Sequence, residues 1–361
     1  MLDPKGNHVR HQQLHRALCV AAFLLSPVMA QDAQNRNSYV QTNLVSNVSG
    51  LATHTDPNLI NGWGIDFLGT GPWWVNAAGT GLSLLYDGSG NPYPSGNQLI
   101  VTIPPPASGG ASVPTGIISN STSDFQISGH PSLFLFASAR GTISGWYTGT
   151  NAVLAVTTTG ASYLGLTIGQ ISGNNMLYAA DFASGKVDVF DGSFHPVSLA
   201  SGAFQDPMLP SGYAPFNVQN IGGSIFVMYA EVGSNGRNVA GPGLGYVDKY
   251  SSDGTLQLRL QHGNWMNSPW GIAMAPGFGF GALSGHLLVG QFGGGQIAAF
   301  DPNTGASTGL LMGTNGQPIT ISGLWGIRFG NGRLAGSPRA LYFVAGIDNQ
   351  AAGLFGTLTH P

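Results

Sequence analysis

Two ladders of short motifs run through the chain, and a repeat of about fifty residues constrains the fold more than any local propensity does. The first ladder reads apolar-Gly-apolar: Trp63-Gly64-Ile65, Thr115-Gly116-Ile117, Leu164-Gly165-Leu166, Phe216-Asn217-Val218, Trp270-Gly271-Ile272 and Trp325-Gly326-Ile327. Its centres are separated by 52, 49, 52, 54 and 55 residues. The second reads Gly-x-apolar after a β-rich run, at Gly81, Gly141, Gly185, Gly245, Gly295 and Gly353. After most copies come an aromatic residue and an Asp turn, as in Tyr86-Asp87-Gly88, Phe190-Asp191-Gly192 and Phe300-Asp301-Pro302. Each unit thus reads as strand, loop, strand, Gly turn, strand, Asp turn and a last strand.

Four antiparallel strands at this period make a propeller blade, and six copies predict an all-β, six-bladed β-propeller. Inner strands crowd together near the axis, so a residue without Cβ suits the first-ladder centre. Asn217 stands there in the fourth copy, and Asn is the side chain most tolerant of left-handed backbone. The chain runs out after a third strand near Leu354-Phe355-Gly356-Thr357-Leu358. The alternating segment Tyr39-Val40-Gln41-Thr42-Asn43-Leu44-Val45 is therefore expected to supply the outer strand of the sixth blade and protect its edge. The expected organisation is a signal peptide over residues 1–30, a flexible linker over 31–38 and one propeller domain over 39–361.

The leader reading rests on Arg10, His15 and Arg16 before an apolar run at 17–25 and small residues up to Ala30. That run is shorter than a membrane span, and no second one follows. Cys19 is the only cysteine. After cleavage the chain would have no disulfide, thiolate nucleophile or Cys-ligated metal. Charged residues make up 7% of the chain. Removing Asp3, Lys5, Arg10 and Arg16 leaves 14 acids and 9 bases, a net of −5. There is no basic patch, which argues against nucleic acid as a partner and against docking on anionic membranes. A hydrophobic content of 42% supplies a core despite 56 glycines.

In a propeller, the loops leading into the inner strands share a face with the loops between second and third strands. The candidate ligand-binding residues of that funnel face are His54, Asp56, Asn61, Asp181, Asn217, Glu231, Trp265 and Asp348, with Arg237 and Asn238 on the long 230–244 loop. The acids among them offer oxygens to Ca2+ or another divalent ion, but without calcium-loop spacing, and loop carboxylates commonly serve as turn formers. The histidines are scattered, and His54 with Asp56 is a weak pair. No nucleophile elbow occurs, and the Gly-rich runs lack the Lys and helix of a phosphate loop. No cofactor is evident. Trp63, Trp270 and Trp325 share one repeat position and are expected to pack between blades, whereas Trp265 breaks the repeat. Two residues beyond the ladder centre, Asp66 and Arg328 fall in the first and sixth copies, neighbours in a closed ring. They form a candidate seam pair.

Several segments together resemble a family of uncharacterised exported bacterial propeller proteins, some of which carry a Pro-Glu-Pro C-terminal sorting tail. They include Thr55-Asp56-Pro57-Asn58-Leu59-Ile60-Asn61-Gly62-Trp63-Gly64-Ile65, Tyr213-Ala214-Pro215-Phe216-Asn217-Val218-Gln219-Asn220, Ser268-Pro269-Trp270-Gly271-Ile272-Ala273 and Leu324-Trp325-Gly326-Ile327. The likeness covers most of residues 39–360. It implies export, to the periplasm or beyond; the expectation of no transmembrane anchor rests instead on the lack of a second long apolar run. More distantly the repeat is similar to six-bladed propellers of the NHL type, a group that includes both metal-dependent lactonases and binding scaffolds. The leading functional expectation is a binding or scaffold module whose funnel face takes a small molecule, glycan or protein. The alternatives are a divalent-metal-dependent hydrolase, lactonase- or esterase-like, and a structural surface or matrix component.

Overall fold

A computed structural model describes residues 37–361. The expected leader and most of the expected linker lie outside the described residues. Among those described, the regular elements are β-strands and one short 3-10 turn, Gly281–Leu283. Six sheets form the blades of a ring, antiparallel except where the short strand His54–Thr55 pairs parallel at the edge of blade 6. From axis to rim, blade 1 comprises Gly62–Asp66, Trp73–Ala77, Leu82–Tyr86 and Ile100–Thr102. Blade 2 comprises Pro114–Ser119, Phe134–Ser138, Thr142–Trp146 and Val153–Thr157. Blade 3 has three strands, Tyr163–Ile171, Asn174–Asp181 and Lys186–Asp191. Blade 4 is built from Tyr213–Ile221, Ser224–Val232, Tyr246–Tyr250 and Leu256–Arg259, with Asn238–Val239 added beside its second strand. Blade 5 contains Pro269–Met274, Leu287–Gln291, Ile297–Phe300 and Ser307–Leu310. Blade 6 joins both ends of the described chain: Leu324–Phe329, Leu341–Ala345 and Leu354–Thr359, then Val40–Ser46 outside them.

The first ladder is where neighbouring inner strands touch. A Cβ on Gly64 would lie 2.5 Å from the Thr115 carbonyl oxygen, one on Gly116 2.9 Å from Gly165 Cα, and one on Gly326 2.9 Å from the Trp63 carbonyl. These are backbone atoms that cannot swing aside, so at these three centres only glycine lets the inner strands meet this closely. None of the ladder centres has positive φ. The left-handed rationale for Asn217 is therefore corrected: its backbone is not left-handed, and its side chain serves as a strut. Asn217 Nδ2 donates to the Trp270 carbonyl at 2.8 Å, while Oδ1 accepts the Val218 N–H at 2.8 Å and occupies the space beside Gly165. The second ladder does use glycine's conformational freedom. Gly81, Gly141, Gly185 and Gly295 turn from second to third strand with φ of 71–73°.

Closure follows the expected scheme. Val40–Ser46 pairs antiparallel with Leu354–Thr359 from Val40 opposite Thr359 to Ser46 opposite Leu354, with a bulge between Asn43 and Val45. Tyr39, Leu44 and Val45 are buried by this pairing and its surroundings. Blade 3 departs from the four-strand unit. Beyond Asp191 the chain carries Pro196, Pro207 and Pro210, which lack the N–H a ladder needs. It makes a bridge between Phe190 and Pro196 and then crosses towards blade 4 as an irregular segment.

Candidate functional site

The axis is plugged near the top face, the face carrying the loops into the inner strands. Trp63 and Trp325 stack with ring centroids 3.6 Å apart, and Phe292 covers the other side of Trp325 at 3.8 Å. Trp325 also meets Phe216, two blades away, at 5.6 Å, and Trp63 meets Trp270 at 6.4 Å. The Trp270 indole N–H donates to the Leu164 carbonyl at 3.1 Å, again spanning two blades. Contacts that skip a blade cross the axis, so these tryptophans meet at the centre of the ring as well as between blades. All three are buried, Trp63 being the most accessible at 7%.

Above the plug lies a recess of about 480 Å³. Its floor is Trp63, Trp325, Phe216, Phe182 and Leu164, and its wall includes Asn61, Ser162, Asn238, Gln350, Arg140 and Arg237. Five loops or turns contribute to this wall. Arg140 projects from the blade 2 turn, closed by the Gly141 N–H to the Ser138 carbonyl at 3.0 Å and by the Arg140 N–H to Ser138 Oγ at 3.2 Å. Arg237 sits at the tip of the long blade 4 loop. That loop is anchored to blade 5: Asn238 Nδ2 donates to Ser268 Oγ at 2.9 Å, and the Gly241 N–H donates to Asn267 Oδ1 at 2.8 Å. Asn61 has φ of 50°; its Oδ1 accepts the Trp325 indole N–H at 3.3 Å and its Nδ2 donates to Gln350 Oε1 at 3.2 Å. Gln350 ends a run of three left-handed residues, Asp348, Asn349 and Gln350, with φ of 51°, 53° and 71°. Each such residue without glycine's freedom is held at a cost of about 1 kcal/mol.

Below the plug a second axial cavity, about 490 Å³, opens towards the other face between the ladder centres. Thr167, Gln219, Asn220 and Arg328 give it polar groups among aliphatic side chains. Here Arg328 Nη1 lies 2.7 Å from Asp66 Oδ1 across the closure seam. Asp66 is fully buried; its carboxylate also accepts the Phe67 N–H at 2.7 Å and the Ser119 N–H at 2.6 Å. One buried charge is thus satisfied by groups on blades 6, 1 and 2, as a buried carboxylate requires.

Of the residues expected on the funnel face, Asn61 lines the recess and Asp181 braces it. Asp181 Oδ1 accepts the Ser162 and Ala183 N–H groups at 2.8 and 3.1 Å, fixing the start of blade 3 to its turn. The rest fall elsewhere. Asn217 belongs to the lower cavity. His54 pairs with Val45 at the outer edge of blade 6. Asp56 is buried, with Oδ2 accepting the Tyr86 hydroxyl at 2.7 Å; burial, reinforced by this carboxylate, raises the tyrosine's pKa well above its ordinary value. Glu231 pairs with Tyr213 and Val239 within blade 4. Trp265 packs on the cluster between blades 4 and 5 and donates to the Gln261 carbonyl at 3.3 Å. Asp348 is exposed on its loop outside the recess lining. Among the described residues, no group of three or more His, Cys, Asp or Glu side chains is placed to hold a metal ion. No described helix is long and apolar enough to cross a membrane. Arg140 and Gln350 escaped the sequence reading. The available signal was an arginine next to a second-ladder glycine in a chain with very few bases.

No family profile matches the chain. Uncharacterized protein R648 of Acanthamoeba polyphaga mimivirus is 32% identical over 332 residues, covering 87% of this chain and 78% of that protein. Uncharacterized protein L690 of the same virus is 33% identical over 337 residues, covering 87% and 84%. The chain belongs to the family of these two mimivirus proteins. The relatives that establish this family are viral and give no support to the bacterial attribution drawn from the motifs. Among solved structures, a streptogramin B lyase shares the propeller fold with a TM-score of 0.51, at 13% identity over 89% of this chain and 97% of the lyase. At that identity the likeness speaks for the fold alone.

Proposed function

We propose that the protein is a binding module that takes a small ligand in the recess at the top of its axis. The supporting observation is a concave site with an immobilised aromatic floor and a polar wall drawn from several blades. The floor side chains are locked by stacking and by the indole bond of Trp325 to Asn61. The wall residues stand on turns and loops that are themselves hydrogen-bonded. Such preorganisation lowers the entropy lost on binding. Trp265, on the flank between blades 4 and 5, has no part in this reading. Export remains an expectation of the same proposal, as the notion of a leader at residues 1–30 is.

The test is a screen of sugars, nucleosides and organic acids against the purified protein, read by thermal shift and tryptophan fluorescence. The Ser162→Trp variant, whose indole fills the recess, is run beside it. The expected result is at least one ligand that stabilises the wild type and is lost in the variant. Hits that persist undiminished in Ser162→Trp, or no hit at all, would overturn the reading.

A further inference from the structure

The recess has an uneven distribution of charge. The described residues contain eight Lys and Arg side chains: Arg140, Lys186, Arg237, Lys249, Arg259, Arg328, Arg333 and Arg339. Two of them, Arg140 and Arg237, line this one recess, and no Asp or Glu lines it with them. Among the described residues neither guanidinium forms an ion pair, whereas Arg259 and Arg328 are both matched to carboxylates. An Arg side chain offers five donors and keeps its charge at every physiological pH.

The floor carries a second, independent sign. Two of the three plug indoles have acceptors, Trp270 on Leu164 and Trp325 on Asn61. The Trp63 N–H has none, although the residue is 7% exposed and lines the recess. A buried donor left unpaired costs about 1–3 kcal/mol. Asn61 adds a further amide, fixed by its own contacts. The site is therefore rich in donors and lacks acidic acceptors.

Resting on the binding reading above, we propose that the recess selects an anion: a sugar-sized ligand bearing a carboxylate or phosphate group. Arg140 and Arg237 take the charged group, and the apolar floor carries the body. A neutral sugar of the same size gains the floor contacts without the charge-assisted hydrogen bonds, which are roughly twice as strong as neutral ones.

The experiment is calorimetric titration at low salt with glucuronate, glucose 6-phosphate and glucose as probes, repeated at higher salt and with Arg140→Gln and Arg237→Gln. Both arginines are exposed, so the variants should melt with the wild type, and a melt of each checks this. At least one acidic probe should bind tenfold or more tightly than glucose. Each variant should weaken it about tenfold, and added salt should weaken it further. Equal binding of glucose and the acids, or acid binding untouched by both variants, would overturn the anion assignment and leave a binding module standing. No acid binding, together with a neutral hit from the screen, would overturn the assignment alone. No binding in either experiment would overturn both.

Discussion

Blade 6 and blade 3 both lack an outer strand from their own stretch of chain, and they meet that lack by different means. Blade 6 borrows Val40–Ser46 from the other end of the described chain, and the join is a backbone ladder. Blade 3 is flanked instead by an irregular segment held by side chains. Phe204 packs against Tyr178 and Tyr250, with centroids 5.6 and 5.3 Å apart, and its N–H donates to the Gly254 carbonyl at 2.8 Å. Two residues on, Asp206 pairs with Arg259, which also lies 3.4 Å from Asp248. Both carboxylates are buried, and one arginine serves them. A ladder distributes stability over many equivalent bonds, whereas a charged cluster concentrates it in a few groups that depend on protonation.

The largest effect is expected at the ladder of blade 6. Removing residues 37–46 strips the edge from Leu354–Thr359 and deletes the buried Tyr39, Leu44 and Val45. Each such side chain contributes about 1.5–3 kcal/mol by burial. Their sum approaches the 5–15 kcal/mol that separates a typical folded domain from its unfolded state. The truncated protein should aggregate or lose its cooperative melt. A melt unchanged from the full chain would show that the borrowed strand is dispensable.

A smaller effect is expected at the charged cluster. Arg259→Met leaves Asp206 and Asp248 buried together without a cation. Breaking a buried pair in this way costs about 3–5 kcal/mol. The loss should be seen in denaturant unfolding at pH 8 and shrink at pH 5, where a carboxyl can take up a proton. The ladder at blade 6 offers no such group, so its contribution should hold across the same range. An Arg259→Met loss equal at both pH values would mean that packing, not charge, holds the segment.

The same contrast explains how much could be read from the sequence. Ladder residues recur, so six copies of Gly-centred motifs announced six blades, and the alternation of residues 39–45 announced the closing strand. Seam partners Asp66 and Arg328 were legible because both occupy a repeat position. Asp206, Asp248 and Arg259 occupy no common position, and nothing in a period of about fifty residues brings them together. The recess was legible only as a face. His54 was assigned to it by sequence order, but Thr53 and Asp56 bond back to the closing strand and carry it to the outer edge. Arg140 was hidden in a turn whose glycine looked sufficient to explain it.

The mildest test separates protonation from packing within the cluster. Burial first, and then the neighbouring carboxylate of Asp206, raises the Asp248 pKa from its ordinary value near 3.8 to about 7, against the opposing pull of Arg259. Tyr250 donates to Asp248 Oδ2 at 3.2 Å, and Tyr229 meets Tyr250 at 2.8 Å, so the remaining groups facing Asp248 are phenols. Between pH 4 and 7 the unfolded chain has lost this proton while the folded chain keeps it. Folding then binds a proton, and this group's contribution to stability falls as pH rises through the window, levelling off above 7. Asp248→Asn keeps the shape and removes the titration. Relative to wild type, the variant should gain on the order of 1–3 kcal/mol between pH 4.5 and pH 7.5, at about 1.4 kcal/mol per pH unit. Denaturant melts at the two pH values read that difference. Parallel profiles would mean that Asp248 stays ionised in the folded protein, and that blade 3's substitute edge is held by a permanent ion pair as indifferent to pH as the ladder of blade 6.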